Sequence, residues 1–188
     1  MRIIAGKHRG RRIAAPPGHL VRPTADRVRE ALFAILASGV AGAAAVYEGA
    51  PVVDLFAGTG ALGLEALSRG AVHATFVDNQ AASLDVIARN AATLGESERI
   101  TLLARDATRL GVGPARVPCA LAFLDAPYGS GLAQAALAGL AVGGWLGAGA
   151  VCVVELGARE TLHEPDGFTL VDERRYGATR VVFLEWRG

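Results

Sequence analysis

The chain has 188 residues, 52% hydrophobic and 20% charged, which excludes disorder over most of its length and suits one compact domain. A formal net charge of +1 hides an asymmetry: residues 1–30 carry eight basic side chains against two acidic ones, and the remainder carries eleven against sixteen. A basic segment on an acidic body points to a polyanionic partner, while two cysteines (Cys119 and Cys152) are too few for a disulfide framework. Met1–Ala5 meets Lys7 and Arg9 almost at once, so no secretory signal is read there. Ser130–Val154 lacks formal charge but is broken by Gly143, Gly144 and Gly147, and it reads as a buried helix plus a buried strand rather than a membrane span. The expected setting is the cytoplasm.

In chain order, Arg2–Ile4 and Arg11–Ile13 are strand-like pieces around Gly6 and Gly10, forming a small basic hairpin. Residues 1–20 are expected to be an extension and 21–188 the main domain. Pro23-Thr24 opens a helix, with Thr24 able to cap it and Val28, Leu32, Ile35 and Leu36 on one face. From Pro51 the pattern is strand, turn and helix, repeated. Strands are expected over Val52–Phe56, Ala74–Val77, Ile100–Ala104, Ala120–Leu124 and Ala150–Val154. Helices are expected over Ala61–Arg69, Ala81–Leu94 and Leu132–Ala141. These strands are continuously apolar, as parallel strands covered by helices on both faces must be. Phe168–Arg174 and Arg180–Trp186 have no helix between them and predict a hairpin around Gly177 that closes the sheet.

Asp54-Leu55-Phe56-Ala57-Gly58-Thr59-Gly60-Ala61-Leu62-Gly63 stands where the first strand passes into its helix. Gly58 and Gly60 let the backbone turn sharply and let a ligand lie against bare amides. With Gly63 they satisfy the dinucleotide-binding spacing, so a nicotinamide dehydrogenase is one reading and a plain tight turn another. Asp78, eighteen residues after Gly60, can accept both hydroxyls of an adenosine ribose or simply cap the next helix. Asp54 is unhelpful beside a pyrophosphate but suits a ligand with a positive amino group, and S-adenosyl-L-methionine has that group and no phosphate. Asp106 could accept from the adenine amine, or cap a helix.

Asp125-Ala126-Pro127-Tyr128 leaves the carboxyl end of the fourth strand, beside the point where open α/β sheets bind ligands. An amine on an aromatic base is a poor nucleophile because its lone pair is delocalised. The Asp125 side chain and the carbonyl of Ala126 can each hold one of its hydrogens and favour the pyramidal geometry of attack. Pro127 stiffens the turn, and Tyr128 offers a stacking face worth ~1–3 kcal/mol. A proline turn with a capping Asp is the bland alternative. Glu155, ending the fifth strand, is a candidate for lining the same cleft.

These residues resemble class I S-adenosylmethionine-dependent methyltransferases of the amino-methylating branch, which carry (Asp/Asn)-Pro-Pro-(Tyr/Phe). More narrowly the chain is similar to the RsmD family, the 16S ribosomal RNA guanine-N2 methyltransferases. The resemblance rests on Arg2-Ile3-Ile4-Ala5-Gly6 with Arg9-Gly10-Arg11, on Arg22-Pro23-Thr24 with Asp26-Arg27-Val28-Arg29-Glu30, on Phe56 through Arg69, and on Gly144-Trp145-Leu146. It implies a Rossmann-like class I fold with a mostly parallel seven-stranded sheet. It also implies that Asp54, Gly58 and Gly60 hold the methionine part of the cofactor, that Asp78 binds ribose, that Asp106 and Ala107 face adenine, that Phe56, Ala57 and Asn79 belong to the same cofactor site, and that Thr24 borders the pocket. Asp125, Ala126, Pro127 and Tyr128 would hold guanine within 16S rRNA of the small ribosomal subunit or its assembly intermediate. Ala126 departs from the family's first proline; the backbone carbonyl is kept and the turn loses stiffness.

Arg2, Lys7, Arg9, Arg11, Arg12, Arg22 and Arg27 are the candidate RNA contacts, or else a solvated face. Pro118-Cys119 invites a cytosine-C5 mechanism, but Cys119 enters its strand six residues before Asp125, ~20 Å away at about 3.3 Å per residue. His8, His19, His73 and His163 show no ligand spacing, so no metal is expected. A DNA amino-methyltransferase and a non-catalytic RNA-binding protein complete the alternatives.

Overall fold

The computed structural model describes residues 1–15, 23–40, 45–113 and 118–188. After α1 (Pro23–Ser38), strands and helices alternate through β1 (Pro51–Leu55), α2 (Ala61–Ser68), β2 (His73–Asp78), α3 (Ala81–Leu94), β3 (Ile100–Ala104), β4 (Cys119–Asp125), α4 (Leu132–Val142) and β5 (Leu146–Gly157). β6 (Phe168–Tyr176) and β7 (Thr179–Trp186) then follow without a helix. One seven-stranded sheet results, in the order β3-β2-β1-β4-β5-β7-β6. Pairing is parallel from β3 through β5, and β7 runs antiparallel between β5 and β6. The chain reverses its winding between β1 and β4, where Leu55 pairs with Leu124, so a crevice must open beyond the carboxyl ends of these two strands.

Strand alternation sorts the core onto two faces. Val52, Ala74, Phe76, Leu121, Phe123, Val151 and Phe183 meet α1, α2 and α3 on one side. Val53, Val77, Ala122, Leu124, Cys152 and Leu184 meet α4 on the other. Phe33 of α1 is fully buried, with its ring 5.6 Å from both Tyr47 and Phe123, and such burial stabilises by ~1.5–3 kcal/mol. Gly63 decides how close α2 can lie to the sheet: a Cβ there would stand 2.4 Å from the Phe76 ring, so only glycine permits the approach. No helix among the described residues is long and apolar enough to cross a membrane.

Residues 1–13 form the expected hairpin, with an Arg2–Arg12 bridge and Ile3 N–H donating to the Arg11 carbonyl at 2.9 Å. Ile3 and Ile13 enter the same core as Val28, Leu32 and Phe33. Two buried carboxylates fasten the hairpin to the body. Glu65 on α2 accepts the N–H groups of Ile4 (2.7 Å) and Ala5 (2.9 Å) and pairs with Arg69 at 2.7 Å. Glu96, beyond α3, meets Lys7 and His8 at 2.5 Å each and Arg99 at 3.0 Å. Burial pushes the Glu96 carboxyl upward, but hydrogen bonds from Lys7 and His8 outweigh it and hold the group below its ordinary range.

Four expectations need correction. α1 begins at Pro23, which puts Thr24 inside the first turn rather than at its cap. β4 includes Asp125, so the carboxylate ends the strand instead of following it. β5 is much longer than Ala150–Val154, because a register shift against β4 between Cys119 and Leu121 absorbs Gly147, which reads as a break in the sequence, together with Gly149. Asp106 heads a turn, not a helix: its Oδ1 accepts the Thr108 N–H at 2.8 Å and the Thr108 hydroxyl at 2.7 Å.

Candidate active site

A cavity of about 1160 Å³ occupies the crevice at the carboxyl ends of β1, β2 and β4. Its volume exceeds the ~300–1,000 Å³ usual for one small ligand, leaving room for a cofactor and a base together. Asp54, Phe56, Ala57, Gly58, Asp78, Asn79, Asp106, Ala107 and Asp125 through Tyr128 all line it. Gly60 closes the loop without lining the cavity: it adopts φ 74° and serves as the N-cap of α2. The Thr24 side chain and Arg22 lie outside the described residues. Sequence reasoning missed Met1, Arg29, Gln80 and Leu132, which also line the cavity. Gln80 had a local signal, standing two residues after Asp78, whereas Met1 arrives only because the hairpin folds back.

The glycine loop is strained where it meets the cavity. Phe56 adopts φ 57°, a left-handed conformation that costs a bulky residue of order 1–3 kcal/mol and clusters at ligand-binding turns. Two carboxylates hold the loop in place. Asp78 accepts the Gly58 N–H on Oδ2 at 2.9 Å and the Gln80 N–H on Oδ1 at 2.8 Å. Asp54 accepts the Gly63 N–H at 2.9 Å. Burial pushes the Asp54 carboxyl well up; the Gly63 hydrogen bond opposes this, and the nearby charges of Asp125 and Asp78 add to it. Hydrogen bonds from Thr108 hold Asp106 below its ordinary range.

At the other end, Asp125 and Glu155 are register partners across β4 and β5. The Asp125 side chain is open to the cavity but walled by protein on its remaining sides. Burial, with Glu155 beside it, pushes its carboxyl up to about 7. No donor among the described residues hydrogen-bonds Asp125. Tyr128 donates its hydroxyl to Glu155 Oε1 at 2.5 Å and lies 3.0 Å from the Thr179 hydroxyl, while its ring rests against Gly157. Tyr128 as a whole is 43% exposed, which leaves surface for a base to stack against. Ala126 is buried within the α4-side core, so packing supports the turn where a proline ring would otherwise stiffen it.

Five acidic side chains and one cationic one, Arg29, line this cavity, and even with Asp54 and Asp125 pushed toward protonation the balance disfavours the pyrophosphate of a dinucleotide and suits a ligand with cationic sulfur and nitrogen. Cys119 sits buried at the amino end of β4, opposite Leu146 rather than near Glu155, and burial pushes its thiol up to about 12, so it is no thiolate nucleophile. No group of three or more His, Cys, Asp or Glu among the described residues could hold a metal ion.

Of the candidate RNA contacts, Arg2, Arg9, Arg12 and Arg27 are exposed without a side-chain partner among the described residues. Lys7 is tied to Glu96, and Arg11 donates to the Thr93 carbonyl at 2.5 Å.

The family described as Conserved hypothetical protein 95 matches residues 1–185. Ribosomal RNA small subunit methyltransferase D of Escherichia coli strain K12 is 38% identical over 162 residues, covering 82% of this chain and 74% of that protein. The protein of the same name from Haemophilus influenzae is 33% identical over 179 residues, covering 94% and 89%. A solved structure titled putative methyltransferase yhhF from Escherichia coli superposes with a TM-score of 0.82 at 34% identity, covering 100% of this chain and 98% of that one. The chain belongs to the Conserved hypothetical protein 95 family, the RsmD-type S-adenosylmethionine-dependent methyltransferases.

Proposed function

We propose that this chain transfers a methyl group from S-adenosylmethionine to the exocyclic N2 of one guanine in 16S ribosomal RNA, acting in the cytoplasm on the small subunit or its assembly intermediate. The observation that carries the reading is Asp125: a carboxylate with no hydrogen-bond donor among the described residues, beside the Ala126 carbonyl, in the cavity that also holds the glycine loop. Two relatives named ribosomal RNA small subunit methyltransferase D support the substrate class.

The cavity fits the cofactor. Its carboxylates suit the sulfonium and ammonium charges, and Asp78 keeps lone pairs for ribose hydroxyls after binding Gly58 and Gln80. Asp54, Phe56, Ala57 and Gly58 would hold the methionine part, with Gly60 shaping the loop behind them, Asp78 and Asn79 the ribose, and Asp106 and Ala107 the adenine. When bound, S-adenosylmethionine supplies an electrophilic methyl carbon whose bond to sulfur breaks, its electrons passing to sulfur, as a nitrogen lone pair attacks. Asp125 and the Ala126 carbonyl take the two N2 hydrogens, turn the lone pair out of the ring plane, and leave Asp125 placed to accept the departing proton. Tyr128 offers its exposed surface to the unstacked base. Arg2, Arg9 and Arg12 of the 1–20 extension, Arg27 of α1, and Arg22 between them in sequence would contact backbone phosphates, with Lys7 and Arg11 seating the extension.

Mass mapping after reaction of the protein with small subunits that lack the modification tests the proposal. A single N2-methylguanine in 16S rRNA is expected. Methylation of another base, or methylation of duplex DNA in preference to subunits, would overturn it.

A further inference from the structure

We propose that Glu155 is a specificity-determining residue that selects guanine by accepting its N1–H while Asp125 and the Ala126 carbonyl hold N2. The inference rests on the guanine-N2 reading above and deepens it. Parallel strands lie ~4.8 Å apart, so the Asp125–Glu155 register sets the two carboxylates side by side at the cavity wall. Glu155 is not a loose surface acid. Its Oε1 is fixed by the Tyr128 hydroxyl at 2.5 Å, and Thr179 in turn holds that hydroxyl at 3.0 Å, while Oε2 has no partner among the described residues. Together with the Ala126 carbonyl, Asp125 and Glu155 set a row of acceptors on this wall, and the neighbouring Tyr128 hydroxyl is already spent on Glu155.

Donor and acceptor arithmetic then identifies the base. Adenine, cytosine and guanine all carry an exocyclic amine on the Watson–Crick edge. In adenine and cytosine the ring nitrogen beside that amine is an acceptor, which would face the lone pairs of Glu155. In guanine it is a donor, N1–H. Of the three amines, only guanine's stands beside a second hydrogen, and a row of acceptors matches that edge alone. Asp125 and Ala126 would serve any base amine; Glu155 restricts the reaction to one.

The test uses small subunits reconstituted on 16S rRNA in which the mapped target guanine is replaced by 2-aminopurine. That base keeps the N2 amine but turns N1 into an acceptor. The wild-type protein should favour guanine by ~10- to 100-fold in kcat/KM, the range expected for one well-formed base contact. In Glu155→Gln the side-chain amide can donate to N1, so the preference should shrink to within a few-fold. Calorimetric binding of S-adenosylmethionine to the variant, unchanged from wild type, shows that it is folded. If the variant binds no cofactor, Thr179→Val, which frees the Tyr128 hydroxyl from Thr179, gives the second reading and should also narrow the preference. Equal wild-type rates on the two bases, or a preference unchanged in the variants, would overturn the role of Glu155 while leaving the guanine-N2 reading intact. Absence of any wild-type N2 methylation would remove both.

Discussion

The glycine-loop half of the cavity and the Asp125 half are both lined by carboxylates, but the two sets are in opposite states. Asp54, Asp78 and Asp106 each hold at least one backbone amide, and through those amides they shape the loop that surrounds them. Asp125 holds none, and Glu155 holds only the Tyr128 hydroxyl. The first set is already committed to the fold, which makes it a preorganised receptor whose geometry does not depend on a ligand. The second set keeps its acceptor oxygens uncommitted by the fold and open toward the cavity, available to a ligand that brings donors. Preorganisation and uncommitted acceptors thus divide the cavity between the group that must be bound and the group that must react.

The sharpest way to break this comparison is to remove one carboxylate from each half. Asp125→Ala should lower kcat by ~10²–10³-fold, the scale of losing one charge-aligned contact at a reacting centre, with the affinity for S-adenosylmethionine unchanged. Asp78→Ala should do the reverse. Freed Gly58 and Gln80 amides loosen the loop, cofactor affinity falls by about 10–100-fold, and kcat at saturating cofactor recovers most of its value. Methyl transfer from labelled cofactor, paired with calorimetry, separates the two; a matching loss of both quantities in both variants would erase the division.

A smaller effect follows from the carboxyl of Asp125, raised to about 7 by burial and by Glu155, with Asp54 on β1 and the Tyr128 hydroxyl as its other titratable neighbours. The carboxylate is the form that accepts hydrogen bonds. At subsaturating cofactor and RNA the rate should therefore fall about tenfold per unit as pH drops below ~7. Glu155→Gln removes the adjacent charge, lowers the Asp125 midpoint and moves the profile to lower pH. Asp125→Asn keeps an acceptor oxygen that does not titrate, so its profile should flatten. Stability runs with the opposite sign. Between about pH 4 and 7 the folded protein keeps a proton that the unfolded chain releases, so this contribution to stability is lost as pH rises through 7. Asp125→Asn should then melt a few degrees higher than wild type at pH 8, ~2–4 °C for about 1 kcal/mol once screening at the open cavity is allowed for.

What the sequence made legible and what it hid divide on physical lines. The apolar runs of β1, β2, β3 and β4, the loop from Asp54 to Gly63 and the tetrapeptide from Asp125 were readable because each signal lies within about ten consecutive residues. β5 was cut short because Gly147 looks like a chain break, and only the Cys119–Leu146 pairing shows that the strand begins before it. The partnership of Asp125 with Glu155 spans thirty positions of sequence and exists only through strand register. Glu65 and Glu96 were invisible for a similar reason: a carboxylate in an apolar helix face or a loop gives no hint that residues some sixty to ninety positions earlier will fold onto it. The same blindness merged the basic residues of the hairpin into one RNA-facing group, although the structure ties two of them to the body.

That last distinction yields the smallest and most selective prediction. Lys7 and Arg11 are held by Glu96 and the Thr93 carbonyl, whereas Arg9 and Arg12 have no side-chain partner among the described residues. A phosphate contact displaces condensed counterions, so Arg9→Ala and Arg12→Ala should each flatten the dependence of log affinity on log salt by ~0.7–0.9. Lys7→Ala should leave that slope nearly unchanged and instead lower the melting temperature, because it withdraws a partner from the buried Glu96. Filter binding of 16S rRNA from 50 to 200 mM salt, alongside thermal unfolding, reads both quantities. If Lys7 moved the slope and Arg9 and Arg12 did not, Lys7 would have to leave Glu96 when RNA arrives, and the hairpin would be rearranged by its substrate instead of being seated beforehand.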